Sequence, residues 1–167
     1  LDRRLNMATF KSEQVTKLDA VPAEPINVDE LHGKIRMARF DYEQVAEGAA
    51  DTIIQLVKLP AGRIRLLGYA SIVRHTLTTG TVDLDIGWAA HTDFDGTAVV
   101  ADEDGLDDNI DCESTGSVTV GNVAAILADC QTKVFESQEG VVITATVKTA
   151  VIAATDTLKG YIAYVLD

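Results

Sequence analysis

Asp83 and Asp85 are the residues of this 167-residue chain whose type and spacing come nearest to a reaction. Two apart on an extended segment, their carboxylates share one face at about 7 Å. That separation falls in the range inverting glycosidases use to hold an acid, a base and a water. Two features argue against it. Trp88, the only tryptophan, projects from the same segment to the opposite face, so the pair lacks a sugar platform. Nothing nearby in sequence predicts a raised carboxyl pKa. A solvent-facing or neighbour-facing pair is the better reading.

The segment His91-x-Asp93-x-Asp95-Gly96, with Asp102 six residues on, has the outline of a calcium loop. Its first ligand would be His, its last Asp instead of a bidentate Glu, and no helices flank it. Asp102-Glu103-Asp104-Gly105-Leu106-Asp107-Asp108 has many oxygens but no calcium-loop order, so a solvated acidic loop is favoured over weak calcium binding. His32, His75 and His91 lie too far apart for a joint metal site and read as surface residues. Cys112 and Cys130 match neither a CxxC nor a zinc pattern and read as unpaired thiols in a reducing compartment. The GxSxG elbow, the phosphate loop, HExxH and GxGxxG are all missing from the sequence. The expectation is a non-enzymatic protein with no catalytic residues, no metal and no cofactor.

The elements that must position these residues are strands. In 81–88, Val82, Leu84, Ile86 and Trp88 alternate with Thr81, Asp83, Asp85 and Gly87, which predicts a half-buried antiparallel strand with an acidic outer face. Residues 63–77 place Ile64, Leu66, Gly68, Ala70 and Ile72 on one side and Arg63, Arg65 and Tyr69 on the other. That run is long for one strand, and Gly68 marks a bulge or corner. Residues 52–59 end at Pro60-Ala61-Gly62, a tight-turn signal. Further strands are expected at 34–43, 132–136, 141–148 and 157–166. In the last, Leu158, Ile162, Tyr164 and Leu166 share one face and Tyr161, Ala163 and Val165 the other. A strand apolar on both faces is either central in a sandwich or covered by another subunit. One short helix is expected, capped by Asn122, with Val123, Ile126, Leu127 and Cys130 along one side. Seven or eight strands without alternating long helices predict an all-β, jelly-roll-like antiparallel sandwich over 34–167, with one long loop at 89–118.

Residues 1–33 differ. They carry Pro22 and Pro25, few aromatics and no sustained periodicity, and 21–25 should be extended. Asn27 and Glu30 could close a one-turn capping box. This segment reads as an N-terminal arm laid over its own surface or a neighbour's. Met7-Ala8-Thr9 reads like a natural start, which makes residues 1–6 a tag remnant, an upstream extension or a processing product. The first residues show no secretory signal.

Composition narrows the function classes. Apolar residues make up 47% and charged residues 24%, a globular balance. The apolar runs around 64–73 and 120–128 fall well short of the ~20 residues that span a bilayer, so no membrane partner is expected. Of the net charge of −12, residues 76–132 carry twelve Asp/Glu and no Lys or Arg, whereas 1–75 carry eleven basic and ten acidic residues. Without a basic stripe to displace counterions, nucleic acid is not an expected partner.

The run Asp29-Glu30-Leu31-His32-Gly33-Lys34-Ile35-Arg36 leads into Ala38-Arg39-Phe40-Asp41-Tyr42. Gln55-Leu56-Val57-Lys58-Leu59-Pro60-Ala61-Gly62-Arg63-Ile64 follows, and then the strand at 81–88. In this order they resemble the jelly-roll capsid decoration, or cement, proteins of tailed bacteriophages, over roughly residues 7–95 and the general pattern of the rest. The resemblance implies a non-enzymatic virion protein that binds the major capsid protein across capsomers on the outer surface of the head. It would be made in the host cytoplasm and self-associate, a trimer being favoured over a dimer. A carbohydrate-binding jelly roll of the adhesin type is the alternative, and a glycosidase a distant third. The candidate contact residues are Phe10, Val15, Leu18 and Val21 on the arm, and Arg63, Arg65, Tyr69, Tyr161 and Val165 on the β domain.

Overall fold

Period-two alternation of β-branched and other apolar residues with polar ones builds two sheets here, each closing over the same interior. The computed structural model describes residues 16–17, 20–22, 34–77, 82–112, 114–149 and 151–167. The chain divides into Leu1–Gly33 and Lys34–Asp167. In the first unit, Val21 and Pro22 sit in a bend with a cis bond between them, where an extended run is expected. Val21 is almost fully exposed. Phe10, Val15, Leu18, Asn27 and Glu30 lie outside the described residues.

The second unit runs β1 (Arg36–Glu43), β2 (Thr52–Leu59), β3 (Gly62–Leu67), a 3-10 turn (Gly68–Ala70), β4 (Ile72–His75), β5 (Asp83–Trp88), β6 (His91–Thr92) and β7 (Ala98–Val99). It continues with β8 (Asp102–Asp111), β9 (Gly116–Thr119), α1 (Ala124–Ala128), β10 (Thr132–Ser137), β11 (Val141–Lys148) and β12 (Thr157–Leu166). One sheet has the order β10-β3-β12-β4-β9, with β1 on the other edge of β12; the second is β2-β11-β5-β8. β3 and β4 lie end to end along one edge of β12, and β10 and β9 flank them in turn. Each of these two pairs therefore fills a single strand position. Numbered in chain order, the eight positions read 1-8-3-6 in the first sheet and 2-7-4-5 in the second. That is the strand order of a jelly roll. The fold is an all-β antiparallel two-sheet sandwich with one short helix.

The core is continuous between the sheets, with Leu59, Ile64, Leu66, Val73, Leu84, Ile86, Ile143, Val147, Leu158 and Ile162 fully buried. The register of β2 on β11 slips between Ile143 and Thr144, so Leu56 and Val57 can both face inward. At Gly68 the run 63–77 turns a corner instead of forming one strand. A side chain at Gly68 would meet the Val120 carbonyl oxygen at 2.4 Å. The corner also changes the phase, so that beyond it Val73 and His75 point inward and Ile72 does not. Ser71 mends the interrupted ladder: its Oγ donates to the Leu67 carbonyl at 2.8 Å and accepts from the Ala163 amide at 2.9 Å.

Five expectations are corrected. Residues 89–118 are not a loop; they hold a hairpin, the ten-residue edge strand β8 and β9. Asp85, expected on an open acidic face, is buried. His75 is buried too, not at the surface. Asn122 does not cap the helix: Val123 holds the N-cap position, and the Asn122 side-chain Nδ2 donates to the Thr119 carbonyl. Of that helix's expected apolar side, Ile126 is buried while Leu127 and Cys130 are exposed. For β12, the structure places neighbours on both edges, the central position.

Candidate functional site

Strand register gathers the predicted β-domain contact residues on the outward face of the six-stranded sheet. Val165 lies opposite Arg65 and Tyr161 opposite Ile72, while Arg63 is reached by the Asp167 amide at 3.0 Å. Tyr161, Ala163 and Val165 alternate out of the core, and Arg63 and Arg65 do the same on β3. Tyr69 projects from the 3-10 turn and is half exposed. Val165 is an exception to the idea of an open contact residue, because it is buried in a second small cluster with Leu67 and Ala163. Arg63 pairs with Glu136 at 3.5 Å and Arg65 with Asp167 at 3.4 Å. Arg39, opposite Tyr161, and the cross-strand neighbours Lys159 and Arg74 share this face. They were not singled out from sequence, although their parity with Tyr161 on the paired strands places them there.

The opposite side of the sandwich is acidic and tightly pinned. β8 pairs with β5 through two register shifts, and its backbone passes over Gly87, where an added Cβ would lie 1.8 Å from the Asp102 carbonyl oxygen. Beneath it Asp85, 4% exposed, accepts the Asn109 amide at 2.9 Å. Asn109 has a left-handed φ of 54°. Asp107 is buried and accepts two successive amides, Gly121 at 3.0 Å and Asn122 at 3.2 Å. Burial raises the pKa of both carboxyls, against the lowering effect of these hydrogen bonds. Asp102 is raised as well, by burial and then by its neighbour Asp104. Lys148 ties the rim together, 2.7 Å from Glu103 and 3.4 Å from Asp51.

These contacts decide the chemical readings. Asp83 accepts from the Thr149 hydroxyl at 3.2 Å and Asp85 is closed off from solvent, so no sugar can enter between them. The raised pKa of Asp85, which the local sequence does not foretell, comes from that closure. Asp93 forms the β6–β7 turn, its Oδ1 accepting from the Asp95 and Thr97 amides at 3.0 and 2.8 Å. Among the described residues no three His, Cys, Asp or Glu side chains are gathered to hold a metal ion.

Two buried pairs look chemical at first sight. Cys112 Sγ lies 3.7 Å from His75 Nε2. A nucleophilic cysteine needs a depressed pKa, whereas burial, followed by Asp111 and Asp83, pushes this thiol up to about 12. Burial also lowers the His75 pKa. The pair is core. Trp88 is 7% exposed, packed edge to face on Phe135 at 5.3 Å, with Lys133 Nζ 4.7 Å from its ring centroid. Its far edge presses on Gly105. No ring face is left for a sugar.

No protein-family model matches the chain, and neither does any curated sequence. Solved structures do. A chain of the cyanophage Pam1 capsid asymmetric unit is 14% identical, with a TM-score of 0.52 over 81% of this chain and 86% of that one. The infectious bursal disease virus VP2 subviral particle gives 11% identity and a TM-score of 0.46 over 80% of this chain and 33% of that chain. The capsid of Helicobacter pylori bacteriophage KHP30 gives 17% and 0.34 over 80% and 94%. Only the cyanophage score bears on the fold, and it shows this chain to share the architecture of that capsid chain.

Proposed function

We propose that this chain is a virion structural protein that decorates a phage head, binding the major capsid protein across capsomers and working as a homo-oligomer, a trimer in the first instance. The observation that carries the reading is the match to the cyanophage capsid chain, which spans most of both chains and not a shared fragment. Three features support it. The sandwich is braced by buried carboxylates bonded to backbone amides, suited to a protein under mechanical stress. The pairs that could do chemistry are committed to packing. The outward face of the six-stranded sheet offers arginines and tyrosines, residue types enriched at protein interfaces. Residues 1–33 act as the attachment arm, with Phe10, Val15, Leu18 and Val21 providing apolar contact. The buried position of Trp88 removes the main support for carbohydrate binding.

The experiment is a titration onto purified heads of full-length protein and of a form lacking residues 1–26, at two ionic strengths. The expected result is saturable binding at a fixed ratio to the capsid protein, weakened in the truncated form. Because charges at an interface rim chiefly steer encounter, salt should slow attachment more than it speeds release. Absence of head binding by the full-length protein would overturn the reading, and equal affinity of both forms would remove the arm from it.

A further inference from the structure

The β6–β7 hairpin turns through Asp93-Phe94-Asp95-Gly96. Of the three described phenylalanines, Phe40 and Phe135 belong to the core, and Phe94 is 47% exposed. Its presentation is rigid. Asp93 Oδ1 accepts the Asp95 and Thr97 amides, and the Asp93 carbonyl accepts the Gly96 amide at 3.2 Å. Just past β10, Gln138 Nε2 donates to the Phe94 carbonyl at 3.1 Å and the Gln138 amide to the Thr92 carbonyl at 3.2 Å. A ring held out on so braced a turn has little backbone freedom left to lose on docking, which is the property of an interface anchor.

A receptacle of matching character lies elsewhere on the same chain. Between β4, β12 and the β8–β9 connection, a cavity of about 240 Å³ is lined by Arg74, His75, Thr76, Thr115, Thr157 and Lys159. Its wall is mostly apolar, as threonine methyls and the aliphatic stems of arginine and lysine allow. The Thr76 and Thr157 hydroxyls bond each other at 3.3 Å, and Lys159 is drawn to Asp41 at 3.0 Å. Arg74 is exposed and has no ion pair among the described residues. A cavity of roughly 150 Å³ is enough for benzene. A phenyl ring therefore has room here, and an aspartate beside it would face Arg74.

Phe94 cannot reach the cavity of its own chain. Cys112 Sγ lies 3.7 Å from His75 Nε2, and its amide donates to the Val82 carbonyl at 3.0 Å, which places the cavity beside the start of β5. The hairpin follows the far end of that strand, ~20 Å away. Knob and receptacle thus match in size, polarity and charge on one chain but meet only between two. We propose that Phe94 of one copy seats in this cavity of a neighbouring copy, with Asp95 beside the neighbour's Arg74. The contact joins unlike surfaces, so it is heterologous and not a two-fold pairing. It rests on the self-association proposed above and names the residues that make it.

The test is sedimentation equilibrium of the full chain and two variants. Phe94→Ser removes the anchor, and Thr115→Trp fills the cavity from an exposed position. The unaltered chain is expected to self-associate, and each variant to do so at least about thirtyfold more weakly, as for the loss of one interface anchor. Mixed together, the two variants should form an equimolar pair and nothing larger. Only the Phe94 of one and the open cavity of the other remain competent. If Thr115→Trp does not fold, Arg74→Glu serves on the cavity side, with association weakened about fivefold at low salt and less at high salt. Undiminished association of Phe94→Ser, or variants that fail to pair when mixed, would overturn this contact and leave self-association standing. An unaltered chain that stays monomeric would overturn both, and the titration onto heads would then decide the decoration role by itself.

Discussion

The carboxylate of Asp107 takes the Gly121 amide at 3.0 Å and, with its other oxygen, the Asn122 amide at 3.2 Å. This one side chain, from the middle of β8, ties the edge of one sheet to the turn that follows β9 in the other. Removing it leaves the buried Gly121 amide and the part-buried Asn122 amide without their charged acceptor, and such bonds count for about 1.5–3 kcal/mol each at most. Asp107→Ala is expected to lower unfolding stability by about 3 kcal/mol, read as a shift in urea midpoint with an unchanged slope. A loss under about 1 kcal/mol would mean that the turn holds itself.

The same burial sets a pH dependence. Asp85 and Asp107 have folded-state pKa values raised above the ordinary carboxyl value. The native state then binds protons more tightly than the unfolded chain between that ordinary value and the raised one. By linkage, stability falls as pH rises through this window, and the penalty is fully present above it. Unfolding free energy should therefore increase as pH is lowered from 7 towards the ordinary carboxyl range. Replacing both residues by Asn should flatten the profile, and an unchanged slope in that variant would assign the effect to overall charge instead.

Gly87 and Gly96 separate crowding from backbone strain. At Gly87 a Cβ collides with the β8 backbone, and at Gly96 nothing lies within 4 Å but φ is +81°. Gly87→Ala should cost about 3 kcal/mol through overpacking, and Gly96→Ala about 1 kcal/mol through its left-handed backbone. Thermal unfolding of both variants side by side checks the ranking.

Trp88 is the only tryptophan, so its fluorescence reports one site. Emission should be blue-shifted in the native state and move to the red on unfolding. Trp88→Ala should cost about 3–5 kcal/mol, as other large core truncations do. A native spectrum like that of free indole in water would place the ring at the surface and restore the sugar-platform reading.

The two thiols should part in a reactivity assay. Cys130 is exposed and Cys112 is buried, with a pKa of about 12. A disulfide reagent at pH 8 should label one equivalent quickly under native conditions, and the second only after denaturation. Two fast equivalents would show that β8 and β9 open readily.

Residue alternation was enough to bound β11 and β12, each of which has one largely apolar parity, whereas β2, with Leu56 and Val57 adjacent, was bounded by the Pro60-Ala61-Gly62 turn signal at its end. Alternation also placed Leu84, Ile86 and Trp88 in the core, since a one-residue slip would have buried their acidic neighbours instead. From such strands the all-β sandwich follows locally. What alternation cannot report is the environment of a strand's other face, which is set by residues distant in sequence. Asp85 looks solvent-facing until β8 curls over it. β8 itself carries no apolar period and few β-formers, and two register shifts break what pattern it has. Its pairing is enforced by the β5 edge, by Asp85 of β5, which accepts the Asn109 amide, and by its own Asp107, which accepts those of Gly121 and Asn122. The juxtaposition of Arg74 and Lys159 is likewise a product of register between β4 and β12, strands separated by more than eighty residues. Strand identity was a local property of this sequence, whereas burial of its charges was decided by which strands came to lie side by side.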